Sequence, residues 1–243
     1  MALAHSPSIP TNGLMLYLDA ANPKSYPGTG TTWTDLSGNG RNGSIFNGPT
    51  YSSNNAGYFV FDGSNDYIDI TDTGNQMNWT PTGALGMSNM TIEMWINSTD
   101  TSGIYYTKPW NGGGEYNIFV KPAGIDLYTG GSNSLGITFG RNVSDGTWSH
   151  LVCCFSPTQV IYRINYDQYT GTNNHTLSYT TPTSGVNNIP TGLMTLYPYG
   201  SGWAGLTGFS IQGNMSVTKV YNRILTSAEI LQNFNALRGR YGI

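Results

Sequence analysis

Short apolar runs separated by turn residues organise this chain. After a tail containing Pro7 and Pro10, residues 14–18 predict a first strand, followed by a Gly-, Pro- and Thr-rich loop with Pro23 and Pro27. Residues 58–61 and 67–70 flank Asp62-Gly63-Ser64-Asn65-Asp66 and predict a strand, a turn and a strand. Residues 91–96 alternate in part. Residues 148–155 and 160–164 predict two paired strands across Ser156-Pro157-Thr158, and further strands are expected at 116–120, 125–128, 135–139, 175–179, 192–197 and 215–221. One helix is expected, at the C-terminus. Thr226-Ser227-Ala228-Glu229 fits a capping box, Ile230, Phe234 and Leu237 then form one apolar face, and Gly239 offers a stop.

Composition strengthens the all-β expectation. Of 243 residues, 9% are charged against 13% aromatic, with 32 Gly and 17 Tyr, a profile of many short strands and tight turns. The predicted fold is an antiparallel β-sandwich of one domain, residues 13–243, preceded by a tail, residues 1–12. The formal net charge of −3 is spread without runs, so neither nucleic acid nor an anionic membrane is an expected partner. The adjacent Cys153 and Cys154 point to opposite faces if they lie on a strand, and a disulfide between them is not expected. The N-terminus lacks the basic and apolar regions of a secretory signal, and no apolar stretch reaches membrane-spanning length.

Catalytic signals are weak. A carboxylate-based glycosidase needs two acids flanking the sugar bond. The glutamates are Glu93, Glu115 and Glu229; Glu229 is committed to the helix cap, and Glu93 has no second acid two or four residues on. Asp66 and Asp69 lie close in sequence, at positions ordinary for a turn and a strand start. His5, His150 and His175 show no zinc-type spacing, and His150 reads as a structural histidine. No catalytic residue is expected.

Aromatic loops are the better lead. Tyr105, Tyr106 and Trp110 precede Asn111-Gly112-Gly113-Gly114, and Tyr197, Tyr199 and Trp203 lie in a second Gly/Pro-rich loop. Such rings stack on sugars, or cover sandwich edges and partner interfaces; both readings stay open. The stretch DLSGNGRNGSIFNG, residues 35–48, holds three Asn-Gly pairs. It lacks the Gly-Lys-Ser/Thr of a phosphate loop. Asp35, Ser37, Asn39 and Gly40 match the start of a calcium loop, but Phe46 stands where the bidentate Glu belongs. Tight turns are the leading reading, with a weaker Ca2+ site at Asp35 and Asn39 as the alternative.

Four segments, at residues 13–20, 33–40, 61–67 and 220–230, together resemble the laminin-G-like, concanavalin-A-like jelly-roll family. That resemblance implies two antiparallel sheets, often a glycan- or protein-binding role, sometimes a loop calcium, and no catalysis. The start Leu16-Tyr17-Leu18-Asp19-Ala20 together with the end Arg238-Gly239-Arg240-Tyr241-Gly242-Ile243 looks like versions carried as virion proteins by tailed phages, especially marine and cyanobacterial ones. The resemblance therefore implies a non-enzymatic virion surface protein, a capsid decoration or tail-associated component assembled in the host cytoplasm. Its expected partners are other virion proteins, through the tail and sandwich edges, a host surface polysaccharide, and further copies of itself. The alternative is a carbohydrate-binding module of a cell-surface or polysaccharide-degrading system.

Overall fold

The apolar runs fold into two antiparallel sheets that face each other. The computed structural model describes residues 8–74, 76–79, 86–108, 116–129, 133–172, 191–193 and 210–243. In chain order the strands are β1 (Leu14–Asp19), β2 (Thr32–Trp33), β3 (Gly43–Phe46), β4 (Thr50–Ser52), β5 (Tyr58–Asp62), β6 (Tyr67–Ile70), β7 (Met90–Ser98) and β8 (Tyr106–Lys108). They continue with β9 (Tyr116–Lys121), β10 (Gly124–Thr129), β11 (Asn133–Thr138), β12 (Ser149–Phe155), β13 (Gln159–Ile164), β14 (Asp167–Thr172), β15 (Thr191–Leu193) and β16 (Gln212–Tyr221), and α1 (Ser227–Leu237) follows. One sheet runs β14-β13-β12-β7-β16-β5-β4, and the other β11-β10-β9-β8-β15-β6-β3-β2. The opposite edge of β16 is shared: residues 212–215 pair with β5, and residues 217–221 pair with β1.

Period-two alternation decides what lies between the sheets. Ile92, Met94, Leu151, Cys153, Phe59 and Phe61 point inward from the first sheet and meet Ile68, Ile70, Ile118 and Val120 from the second. β7 alternates only in part in sequence because its outer face is also covered. Trp95 and Val217 pack under Phe234 and Leu237 of the helix, and Val152 and Cys154 under Ile230. Cys153 and Cys154 thus face opposite sides of β12, both buried and both free.

Polar groups are sealed into this second layer as well. Glu93, His150, Lys219 and Asn233 are all 0% exposed. Glu93 Oε1 accepts from Lys219 Nζ at 2.8 Å and lies 3.1 Å from His150 Nε2, while Oε2 accepts from Asn233 Nδ2 at 2.6 Å. His150 stacks on Trp95 at 4.9 Å, and Trp95 stacks in turn on Phe234 and Tyr241. The expected helix face is therefore joined by Asn233, which supplies its polar contact. The capping box forms as predicted: Thr226 Oγ1 accepts from Glu229 N at 3.3 Å, and Glu229 Oε2 accepts from Thr226 N at 2.9 Å.

Three expectations need correction. Residues 58–61 and 67–70 do not pair with each other. The turn at residues 62–66 carries the chain from one sheet to the other, β5 pairing with β16 and β4, and β6 with β3 and β15. Residues 43–46 are a strand rather than part of a run of turns, because Ile45 faces Ile68 across the sheet. Gly239 is not a left-handed cap: the helix runs into a 3-10 turn at Arg238–Arg240. The expected strand at residues 175–179, and most of that at 192–197, lie outside the described residues. The described part of the tail rests on the chain's own C-terminal segment. Gln232 Nε2 donates to Ser8 O, and Arg223 Nε donates to Asn12 O at 2.8 Å.

The Glu93 cluster makes stability depend on acid pH. Burial alone would push this carboxyl up, but Lys219 and His150 more than offset it and hold it at about 2, below the ordinary 4.5. A lowered folded value contributes stability that is complete above pH 4.5 and is lost as pH falls toward 2. Glu93→Gln leaves Lys219 buried without its counter-charge, and a loss of about 3–5 kcal/mol is expected by urea titration at pH 7, with a smaller loss at pH 2. Equal losses at both pH values would contradict this assignment.

Candidate functional site

Where β3, β5 and β7 end and β4, β6 and β16 begin, the rim of the sandwich opens into a cavity of about 540 Å3. Strand register builds its floor. Asn214 pairs with Asn97 on one side and with Val60 on the other, and Val60 pairs with Thr50. Phe59 and Phe61 face the core, so these four side chains form one row on the opposite face of the sheet. Gly213 holds the row together, since a Cβ there would lie 2.8 Å from Ser98 Cβ and 2.9 Å from Asn97 O.

Loops close the sides. Asn47 and Gly48 leave β3 with positive φ angles of 63° and 92°, and Asn47 Nδ2 donates to Asn65 O at 2.6 Å. Asp62 Oδ1 accepts from Ser64 N at 2.7 Å, and Gly63, at φ 78°, completes the turn between the sheets. Behind Gln212, Asp100 Oδ2 accepts from the Gln212 amide at 3.0 Å. Burial tends to raise Asp100, but the amides of Ser102 and Gln212 hold it below the ordinary range.

Some groups that face the cavity are committed, the Asn97 Nδ2 donating to Gly146 O at 2.9 Å, and others are not. Among the described residues no hydrogen bond engages the side-chain amides of Asn214 and Gln212 or the hydroxyls of Thr50 and Thr99, all of which line it. Asp66 is 5% exposed, and its Oδ2 accepts from Asp62 N at 3.2 Å. Burial raises its pKa, and the neighbouring Asp62 carboxylate adds to the rise against the opposing Asp62 amide. Converging amides, hydroxyls and carboxylates are the groups that bind polyols. Immediately before Asn47 and after Asp66, the half-buried rings of Phe46 and Tyr67 stack at 4.9 Å.

The described residues among those expected from sequence lie elsewhere. Tyr105 and Tyr106 are not surface rings: both are 0% exposed and belong to the core between the sheets. Their side chains are drawn inward because Tyr106 shares the inner face of β8 with Leu193 and Val120 opposite. Trp110, Tyr197, Tyr199 and Trp203 lie outside the described residues. Asp35 and Asn39 come together in one loop, but as its staples. Asp35 Oδ1 accepts from the amides of Tyr17 and Ser37, and Oδ2 from Ser37 Oγ and Arg41 N, at 2.7–3.0 Å. Asn39 turns its Nδ2 toward the carbonyls of Leu14 and Met15. Four donors thus engage the two oxygens of the Asp35 carboxylate within the loop. Among the described residues no group of three or more His, Cys, Asp or Glu could hold a metal ion. Of the acids considered for catalysis, Glu93 is sealed and Glu229 binds Arg223 at 2.6 Å, while Glu115 lies outside the described residues.

Sequence reading missed the rim cavity because its residues recur at no local spacing. Only the Asn47-Gly48 pair, within the Asn-Gly stretch, and the Asp62–Asp66 turn drew notice, each as a turn.

The concanavalin A-like lectin/glucanases superfamily model matches residues 62–231. The chain belongs to this family. Among curated proteins none matches the sequence. Within the lectin-like fold, similar solved structures include domain 4 of AbnA, an extracellular GH43 arabinanase from Geobacillus stearothermophilus, solved in complex with arabinotriose. It shares 16% identity at a TM-score of 0.64, covering 91% of this chain and 98% of that one. The binding domain of Paraclostridial Mosquitocidal Protein 1 is similar at 17% identity and a TM-score of 0.61, covering 93% of this chain and 52% of that one. The binding domain of botulinum neurotoxin DC, in complex with SialylT, shares 14% identity at a TM-score of 0.62, with coverage of 93% and 52%. The chain thus spans about half the length of the two toxin domains. At these identities the likeness is one of fold.

Because no hydrogen bond among the described residues engages the Asn214 and Gln212 side chains, Asn214→Ala and Gln212→Ala should shift stability by no more than about 0.5 kcal/mol. Gly213→Val should lose about 1–3 kcal/mol by crowding Ser98. Thermal melting compares the three.

Proposed function

We propose that this protein is a non-enzymatic glycan-binding module that engages sugar hydroxyls at the rim cavity, displayed on a virion surface. The observation that carries the binding reading is that Asn214, Gln212, Thr50 and Thr99, unpaired among the described residues, surround an open cavity of about 540 Å3 on a lectin-like sandwich. The volume lies within the range of small-molecule sites. AbnA domain 4, solved with arabinotriose, and a neurotoxin binding domain, solved with SialylT, are similar folds that meet sugars. The commitment of Glu93 to Lys219 and of Glu229 to Arg223 supports a role without hydrolysis. Protein donors engage both Asp35 oxygens in the loop at residues 35–42, so binding is expected to be independent of calcium.

The virion part rests on the likeness of the two chain ends to phage versions. These ends meet in space: Arg240 Nη1 donates to Asp19 Oδ1 at 2.8 Å and to Oδ2 at 3.0 Å, and Tyr241 OH to Ser216 Oγ at 2.8 Å. The shared sequence therefore closes the fold, and particle association needs its own test. A module of a polysaccharide-degrading system is the second reading, favoured by the match to nearly all of AbnA domain 4.

On a glycan array, the wild-type protein should bind a defined subset, and Gln212→Ala with Asn214→Ala should weaken binding about tenfold or more, one lost hydrogen-bonding group being worth about 1 kcal/mol or more. Addition of a chelator should leave the affinity unchanged. Binding that survives the double substitution would move the site away from the rim. Mass spectrometry of purified particles should find the chain, and removal of residues 1–12 should abolish its incorporation while the domain stays folded. Its absence from particles, with binding retained, would favour the second reading.

A further inference from the structure

Resting on the rim-cavity reading above, we infer that the site takes uncharged or amino-bearing sugars and rejects glycans that carry carboxylate, sulfate or phosphate. The argument comes from where every cation of the chain is held. The chain has 10 Lys and Arg. All of them lie among the described residues, and none lines the cavity. Most are engaged elsewhere: Lys108 and Arg41 face Asp72, Lys121 faces Asp126, Lys219 faces Glu93, Arg223 faces Glu229 and Arg240 faces Asp19. His150, the one histidine among the described residues, is sealed beneath the helix. Arg141 pairs with Asp145, and among the described residues no ammonium or guanidinium lines the site.

The charges that do line it are both negative. Asp62 is exposed at the turn, and Asp66 lies beneath it, 5% exposed. Asp66 Oδ2 accepts from the Asp62 amide, while among the described residues no donor reaches Oδ1 and no cation faces the carboxylate. A buried carboxylate without a counter-charge, opening on a cavity, is a built acceptor for a ligand hydroxyl or ammonium. An anionic group entering the same space meets like charge at short range with nothing to offset it.

The test uses an array of neutral, amino-bearing, uronate-, sialate- and sulfate-bearing glycans, followed by titration of the best neutral binder against its sulfated derivative. Binding should be confined to the neutral and amino-bearing glycans, and sulfation should weaken it about tenfold or more. Asp62→Asn with Asp66→Asn should remove most of that discrimination and weaken the amino-bearing glycans. Asp62→Asn alone, at an exposed position, gives the same comparison if the double variant melts early. Anionic glycans bound with equal affinity, and lost on Gln212→Ala with Asn214→Ala, would overturn the selectivity while leaving the site. Failure of every glycan to bind, or binding indifferent to those two substitutions, would overturn the site and the selectivity together.

Discussion

A carboxylate buried between a sheet and a helix must find its positive charge within reach, and the outer layer of this protein is arranged around that requirement. Glu93 lies on β7, Lys219 on β16, His150 on β12 and Asn233 on α1. Four elements distant in sequence thus meet at one group. The aromatic stack of His150, Trp95, Phe234 and Tyr241 surrounds it with apolar surface and keeps water out. An uncompensated charge here would be far costlier than a missing apolar contact. The cluster therefore fixes where the helix sits, beyond what its apolar stripe alone would specify.

Sealing one face of that sheet has a further effect. With the inner face given to the core and most of the outer face to the helix, the polar row of Asn97, Asn214, Val60 and Thr50 is left at the rim, past the helix. The strand that carries Asn214 is the one that carries Lys219, so the open end and the sealed end of the sandwich lie on a single strand, β16.

Much of the fold was legible in the sequence. The capping box at Thr226 and Glu229 is a local device whose geometry follows from four consecutive residues, and it forms as read. Strand pairs such as β12 and β13, joined by Ser156-Pro157-Thr158, are equally local. What failed was non-local. The turn at Asp62–Asp66 has the residues of a hairpin, yet whether its strands join one sheet or two depends on β16 and β3, far away in the chain. Tyr105 and Tyr106 look like loop aromatics beside the Gly-rich segment, and only the pairing of β8 with β15 and β9 turns them inward. The rim cavity draws on residues from 47 to 214, a separation that no periodicity reports.

The offset in β16 between residues 215 and 217 separates its pairing with β5 from its pairing with β1. Seen as an evolutionary substrate, this makes the chain modular within a single strand. Residues before the offset answer to whatever enters the rim, and residues after it answer to the helix, so substitutions on one side are insulated from the other. A scaffold of this kind can acquire a new specificity at its mouth without renegotiating the contacts by which it folds.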